Sequence, residues 1–134
     1  MAFAFRIGLD FGPLGRAAGP KKSHGHKMDD LQIDPREVKR RLDAGENLLL
    51  VDVREPWEHD ICRLPGAKLV PLGSVPSNLA VFEQAEEVVI YCHHGLRSLD
   101  AAVWLRQQGI ESARSMAGGI ERWSREVDPS VPRY

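Results

Sequence analysis

The sequence predicts an α/β domain built on a parallel sheet with helices over both faces. Three observations carry that expectation. "LLLVDV" (Leu48 to Val53) and "EVVIY" (Glu87 to Tyr91) are short, nearly unbroken apolar runs, the mark of strands buried on both faces. Segments with helical spacing separate and follow these runs, so strand and helix alternate as parallel sheets require. The chain has 134 residues, the size of one domain; a domain of about 150 residues buries roughly 68–70% of its unfolded surface, enough for a sheet with two covered faces.

Order is expected from about Leu31. In "DPREVKRRLDAG", Asp34 suits an N-cap, Pro35 the first helical position and Glu37 the third residue after the cap. Val38 and Leu42 share one face of that helix, and Gly45 is its stop. Leu48 to Val53 is the first clear strand. "EPWEHD" suits a single helical turn with Pro56 at its start, and His59 is expected on its solvent side. "AKLVPL" is a short strand that Pro71 ends. Ser74 to Phe82 reads as a helix with Val75, Leu79 and Phe82 along one side. Glu87 to Tyr91 is the next strand. Ser98 to Gln108 is a helix with Leu99, Ala102 and Val103 inward and Gly109 at its end. "ARSM" (Ala113 to Met116) is a last strand, and "GGIERWSREV" a short closing helix.

Composition narrows the function. Hydrophobic residues make up 43% and the net charge is -1, which argues against a disordered chain and gives no general basis for binding nucleic acid or an anionic membrane. No apolar run approaches a membrane span. Residues 1–28 hold five basic residues against one acidic, and Gly12, Pro13, Gly15, Gly19, Pro20 and Gly25 break any period. That segment is expected to be a flexible basic tail, with the domain spanning 29–134. His24 and His26 lack further ligands, and the two cysteines, Cys62 and Cys92, form no CxxC pair, so neither a metal nor another cofactor is expected. Two cysteines also make no disulfide framework, which fits a reducing cytoplasm.

The chemistry concentrates in "CHHGLRS", Cys92 to Ser98. Cys92 follows a buried strand and Ser98 opens a helix, so the loop lies at the carboxyl end of the sheet, where ligands bind in parallel folds. A loop that winds into a helix N-terminus turns several backbone N–H groups toward one point and favours an anion there. The natural anion is the sulfur of Cys92, since a helix N-terminus or a nearby cation lowers a thiol's ordinary pKa of about 8.5. Gly95 opens backbone conformations closed to other residues. Arg97 adds a permanent positive charge, and His93 and His94 face an incoming substrate. Cys62 has no such surroundings and is taken as a structural thiol. Asp52, Arg54 and Glu55 end the neighbouring strand at the same edge. Asp52 and Glu55 suit structural hydrogen bonds, while Arg54 is a candidate substrate contact beside an anionic donor.

"LLLVDVREPWEH", "RLPGAKLVPL", "VVIYCHHGLRS" and "MAGGIERW", in that order from about Leu31 to Trp123, resemble the rhodanese domains, a family of sulfurtransferases. The resemblance implies a three-layer fold with about five parallel strands between helices. It also implies that Cys92 is a nucleophile that carries a persulfide, with His93, His94, Gly95, Leu96, Arg97 and Ser98 forming its cradle. The reaction implied is transfer of sulfane sulfur from a donor such as thiosulfate to a thiol or cyanide acceptor. A sulfur-carrier protein or a cysteine desulfurase is the protein partner it would suggest. Many members carry His-Ile before Pro-Gly-Ala, where this chain has Arg63 and Leu64.

Two other readings stay open. Cysteine-dependent phosphatases and arsenate reductases also hold an oxyanion in a Cys…Arg loop. Related phosphatases on this fold place five residues between Cys and Arg, and this chain places four: His93, His94, Gly95 and Leu96. The smaller ring suits one sulfur atom better than a tetrahedral oxyanion. A non-enzymatic interaction module is the second reading; inactive members commonly lack the cysteine that this chain keeps.

Overall fold

The structure, a computed structural model, describes residues 30–134. Residues 1–28, expected to form the basic tail, lie outside the described residues. Five parallel strands form one sheet: β1 (Gln32–Ile33), β2 (Leu49–Asp52), β3 (Lys68–Leu69), β4 (Val88–Tyr91) and β5 (Ala113–Met116), in the order β1-β5-β4-β2-β3. Among the described residues, five α-helices cover it: α1 (Pro35–Asp43), α2 (Pro56–Ile61), α3 (Leu79–Glu83), α4 (Leu96–Gln107) and α5 (Gly119–Glu126).

The apolar runs explain the three layers. Side chains alternate across a strand, so β2 and β4 feed two cores. Val51, Val88 and Ile90 pack on one face with Phe82 of α3 and Ala101, Ala102 and Leu105 of α4. Leu50, Val89 and Tyr91 pack on the other with Val38 of α1 and Ile120 and Trp123 of α5. Both faces must be apolar, which is why these strands lack alternation. Among the described residues, no helix is long and apolar enough to cross a membrane.

Helix α1 forms as its sequence indicates: the Asp34 carboxylate accepts from the Arg36 amide at 2.8 Å, and Pro35 opens the helix. Four elements differ from expectation. Strand β1 has only two residues and no pattern of its own; it is fixed by pairing with Ser115 and Met116 of β5. The strand expected over "AKLVPL" pairs only at Lys68–Leu69. The helix expected from Ser74 to Phe82 is two 3-10 turns, Leu72–Ser74 and Pro76–Asn78, followed by α3. Pro76 opens the second 3-10 turn, and Asn78, at φ -120° and ψ 27°, interrupts the helical path before α3 begins. Val75 and Phe82 are buried all the same. Helix α4 starts at Leu96, not Ser98, and turns Ser98, Ala101, Ala102 and Leu105 inward, with Leu99 and Val103 only partly covered.

Candidate active site

Strand β4 delivers Cys92 to the carboxyl edge of the sheet, where its residue is 1% exposed. The chain then turns back within three residues. Gly95 has φ +105°, a left-handed value L-side chains rarely adopt, and caps the start of α4. This turn brings the Gly95 amide to 3.1 Å and the Ser98 amide to 3.3 Å from Cys92 Sγ. The Ser98 hydroxyl lies 3.3 Å from the same sulfur and 2.7 Å from the Ser115 hydroxyl of β5. The sulfur therefore sits at the N-terminus of a 12-residue helix, where first-turn amides and the helix dipole favour negative charge.

The outside of the loop is held by α5. The Ile120 amide donates to the Cys92 carbonyl at 2.9 Å and the Glu121 amide to the His93 carbonyl at 3.1 Å. With its carbonyls engaged outward, the loop turns amides inward, toward the sulfur. That grip needs an unusually close approach. A Cβ on Gly119 would lie 2.5 Å from the Cys92 carbonyl oxygen and collide with the His93 carbonyl as well. Gly119 also has φ +64°, so both space and backbone conformation call for glycine.

The charged residues at this edge form a network. Arg97 donates to both oxygens of Glu58, at 2.8 and 3.0 Å. It therefore faces α2, and the permanent positive charge the sequence gives the loop is matched there by a carboxylate. Those bonds from Arg97 hold the Glu58 carboxyl at about 2. Arg54, the candidate substrate contact, is fully buried. Its guanidinium donates to Asp52 at 2.6 and 2.8 Å, to the Cys62 carbonyl at 2.6 Å and to the Tyr134 hydroxyl at 2.8 Å. In this arrangement Arg54 braces the edge of the sheet and is closed to substrate. Burial pushes the Asp52 carboxyl up, but hydrogen bonds from Arg54 and His59 outweigh it and hold it below its ordinary value. His59, expected at the surface, is instead tucked against Asp52 at 2.9 Å. Glu55 has a structural place, its amide bonded to Glu58 at 2.9 Å.

His94 and Leu96 are exposed on the loop, Leu96 at 76%. His93 is half-buried between two rings, His94 at 3.9 Å and Tyr134 at 4.0 Å between centroids. Burial, and then the neighbouring His94, lower its pKa, which keeps it neutral near pH 7. His93, His94 and Glu121 bring one ligand atom each within 4.8 Å of one another, and form the set among the described residues best placed to hold a metal. The two imidazoles are nearly parallel, 22° apart, so their in-plane lone pairs run side by side and do not converge. Glu121 is also engaged by Arg133 at 3.0 Å.

Three participants escaped the sequence reading. Glu58 lies in the single helical turn expected over "EPWEHD", and its partner Arg97 is 39 residues away. Tyr134 reaches the site from 76 residues beyond Glu58, a distance no local pattern spans. Gly119 was visible as half of the doubled glycine in "MAGGIERW", and that pair was the available signal.

A strand-end thiol cradled by amides at a helix N-terminus, in a five-stranded parallel sheet, defines the class of site. A family model for the rhodanese-like domain matches residues 34–126, and the chain belongs to that family. It is 38% identical over 104 residues to the probable adenylyltransferase/sulfurtransferase MoeZ of Mycobacterium tuberculosis, in an alignment covering 76% of this chain and 26% of that protein. The chain thus spans about a quarter of that relative's length. It is 36% identical over 100 residues to a sulfurtransferase of Allochromatium vinosum, covering 75% of this chain and 94% of that one. Among solved structures it is similar to the rhodanese-like domain protein of Staphylococcus aureus, with a TM-score of 0.66, 30% identity, and coverage of 77% and 97%. The Allochromatium vinosum relative, matched over most of its own length, is named a sulfurtransferase.

Proposed function

We propose that this protein is a sulfurtransferase that carries sulfane sulfur as a persulfide on Cys92. The observation that carries this reading is the pair of backbone amides, from Gly95 and Ser98, that converge on Cys92 Sγ at the start of α4. In the proposed cycle the Cys92 thiolate attacks the outer sulfur of a donor such as thiosulfate. A new S–S bond forms at Cys92, the donor's own S–S bond breaks, and sulfite leaves with the electron pair. An acceptor thiolate or cyanide then attacks the outer sulfur of the persulfide, and the Cys92 thiolate is released. The amides of Leu96 and Arg97 are first-turn donors without intrahelical acceptors. They are the groups available to an outer sulfur anion, so its charge meets preorganised donors.

Small donors and acceptors fit this chemistry, and so does a protein partner such as a sulfur carrier or a cysteine desulfurase. Residues 29–134 are read as the catalytic domain. The test is intact mass after incubation with thiosulfate, followed by cyanide. The expected result is a gain of one sulfur atom that maps to Cys92 and is lost on adding cyanide, with negligible hydrolysis of aryl phosphates at the same enzyme concentration. Efficient phosphatase turnover without a persulfide would move the protein to the oxyanion class, because a phosphoryl group needs room for three equatorial oxygens.

A further inference from the structure

The segment from Asp128 to Tyr134 crosses the molecule beside the loop and is pinned at several points. The Ser124 hydroxyl donates to the Val131 carbonyl at 2.7 Å, and Cys62 Sγ donates to the Pro132 carbonyl at 3.2 Å. Arg133 pairs with Glu121 at 3.0 Å. At its end the Tyr134 hydroxyl accepts from Arg54 and donates to Glu58, both at 2.8 Å. The ring stacks on His93 and meets Trp57 edge-on, at 6.2 Å between centroids. Tyr134 therefore covers the Arg54 guanidinium on the side of the loop, and stands between that buried cation and the solvent from which a substrate would come. Of the Arg54 partners it is the one on a surface-exposed side chain; Asp52 is fully buried and the remaining acceptor is a backbone carbonyl.

We propose that Tyr134 masks an anion subsite at Arg54, next to the loop that carries Cys92, and so sets the selectivity of the site against small, highly charged sulfur donors. With Tyr134 seated, Trp57, Tyr134, His93 and His94 form a continuous run of rings beside the loop. When Tyr134 is withdrawn, one guanidinium nitrogen of Arg54 loses its partner and turns a fixed positive charge toward the loop. The masked state favours a donor or acceptor presented on an uncharged or aromatic-tolerant surface; the unmasked state favours a dianion such as thiosulfate.

This inference rests on the sulfur-transfer reading only for its last clause, and two assays separate them. The first compares alkylation of Cys92 by iodoacetate and iodoacetamide, reagents that differ in charge, with the modified peptide followed by mass. In Tyr134→Ala the iodoacetate-to-iodoacetamide rate ratio is expected to rise about threefold or more. Tyr134→Phe keeps the ring stack but frees the same guanidinium nitrogen, so the ratio is expected to rise about twofold; it also serves if the alanine variant folds poorly. The second assay is thiosulfate turnover, where KM is expected to fall in the same order while kcat changes little. An unchanged or reduced rate ratio in both variants overturns the masked subsite, whatever the turnover. A raised ratio with no turnover in any form of the protein keeps the subsite and overturns the sulfur-transfer reading.

Discussion

The two cysteines occupy opposite chemical settings in equally buried places. Cys92 is 1% and Cys62 7% exposed, and neither is in a disulfide. The difference lies in the direction of their hydrogen bonds. Cys92 Sγ accepts from two amides at the start of α4. Cys62 sits past the end of α2 and its Sγ donates to the Pro132 carbonyl. A sulfur ringed by N–H groups is prepared to hold negative charge; a sulfur aimed at a carbonyl uses its own proton to make the contact. Burial alone would have ranked the two thiols together, and the backbone around each tells them apart.

The strongest way to break this comparison is to remove each sulfur in turn. Cys92→Ser is expected to bring sulfur transfer down to the uncatalysed background, read as thiocyanate release. Cys62→Ser keeps a donor to Pro132 and is expected to hold the rate within about twofold. Equal losses in the two variants would erase the distinction. The next largest effect is expected from Gly119→Ala, which leaves both sulfurs in place and attacks only the backbone that aims the loop. A Cβ there meets the Cys92 and His93 carbonyls, so the loop must move. A stability loss of about 3 kcal/mol is expected, together with a fall of transfer activity larger than the melting temperature alone explains. Alanine in the neighbouring position, Gly118, meets the flexible Arg122 side chain and is expected to cost activity less.

A smaller effect concerns the acid side of the pH profile. Arg97 holds Glu58 at about 2, below the ordinary carboxylate value of 4.5. A carboxyl whose folded pKa is depressed stabilises the fold above its unfolded pKa, and that stability is lost as pH falls toward the folded pKa. The Glu58–Arg97 contribution should be full above about pH 4.5 and fade toward about pH 2, on the order of 2 kcal/mol once the partial exposure of Arg97 is allowed for. Glu58→Gln is expected to flatten that arm of the stability curve, measured by denaturant unfolding across the acid range; an unchanged slope would show that Glu58 is not what ties α2 to the loop. The smallest effect is expected from a chain beginning at Asp29. Both cysteines should keep their relative reactivity and the melting temperature should stay within a few degrees; a large drop would show that residues 1–28 support the domain.

Much of this fold was legible because burial leaves a local signature. Two-sided burial of β2 and β4 wrote itself as apolar runs, and the start of α1 as Asp34 followed by Pro35. The loop from Cys92 to Ser98 was legible for the same reason: its thiol, glycine and arginine are close in sequence as well as in space. What stayed hidden depends on distant partners. β1 is a strand because β5 lies beside it, and two residues carry no period. Val75, Leu79 and Phe82 suggested one continuous face, yet the backbone at Asn78 interrupts it. The direction of Arg97 could not be read from its own loop, because Glu58 supplies it from α2. Arg54 seemed available to substrate for the same reason, since Tyr134 and the Cys62 carbonyl that close it off lie elsewhere in the chain.

The grip of α5 on the loop also sets an order of events. The strand that sits between β1 and β4 is β5, the last in sequence, and the amides that seize the Cys92 and His93 carbonyls follow it at Ile120 and Glu121. As the chain is made from its amino end, Cys92 emerges before any of these residues, and β1 has no neighbour until β5 slots in. Long-range pairings of this kind form late, after the local helices. The segment that holds the Cys92 and His93 carbonyls is thus made after the Gly95 and Ser98 amides that face the sulfur.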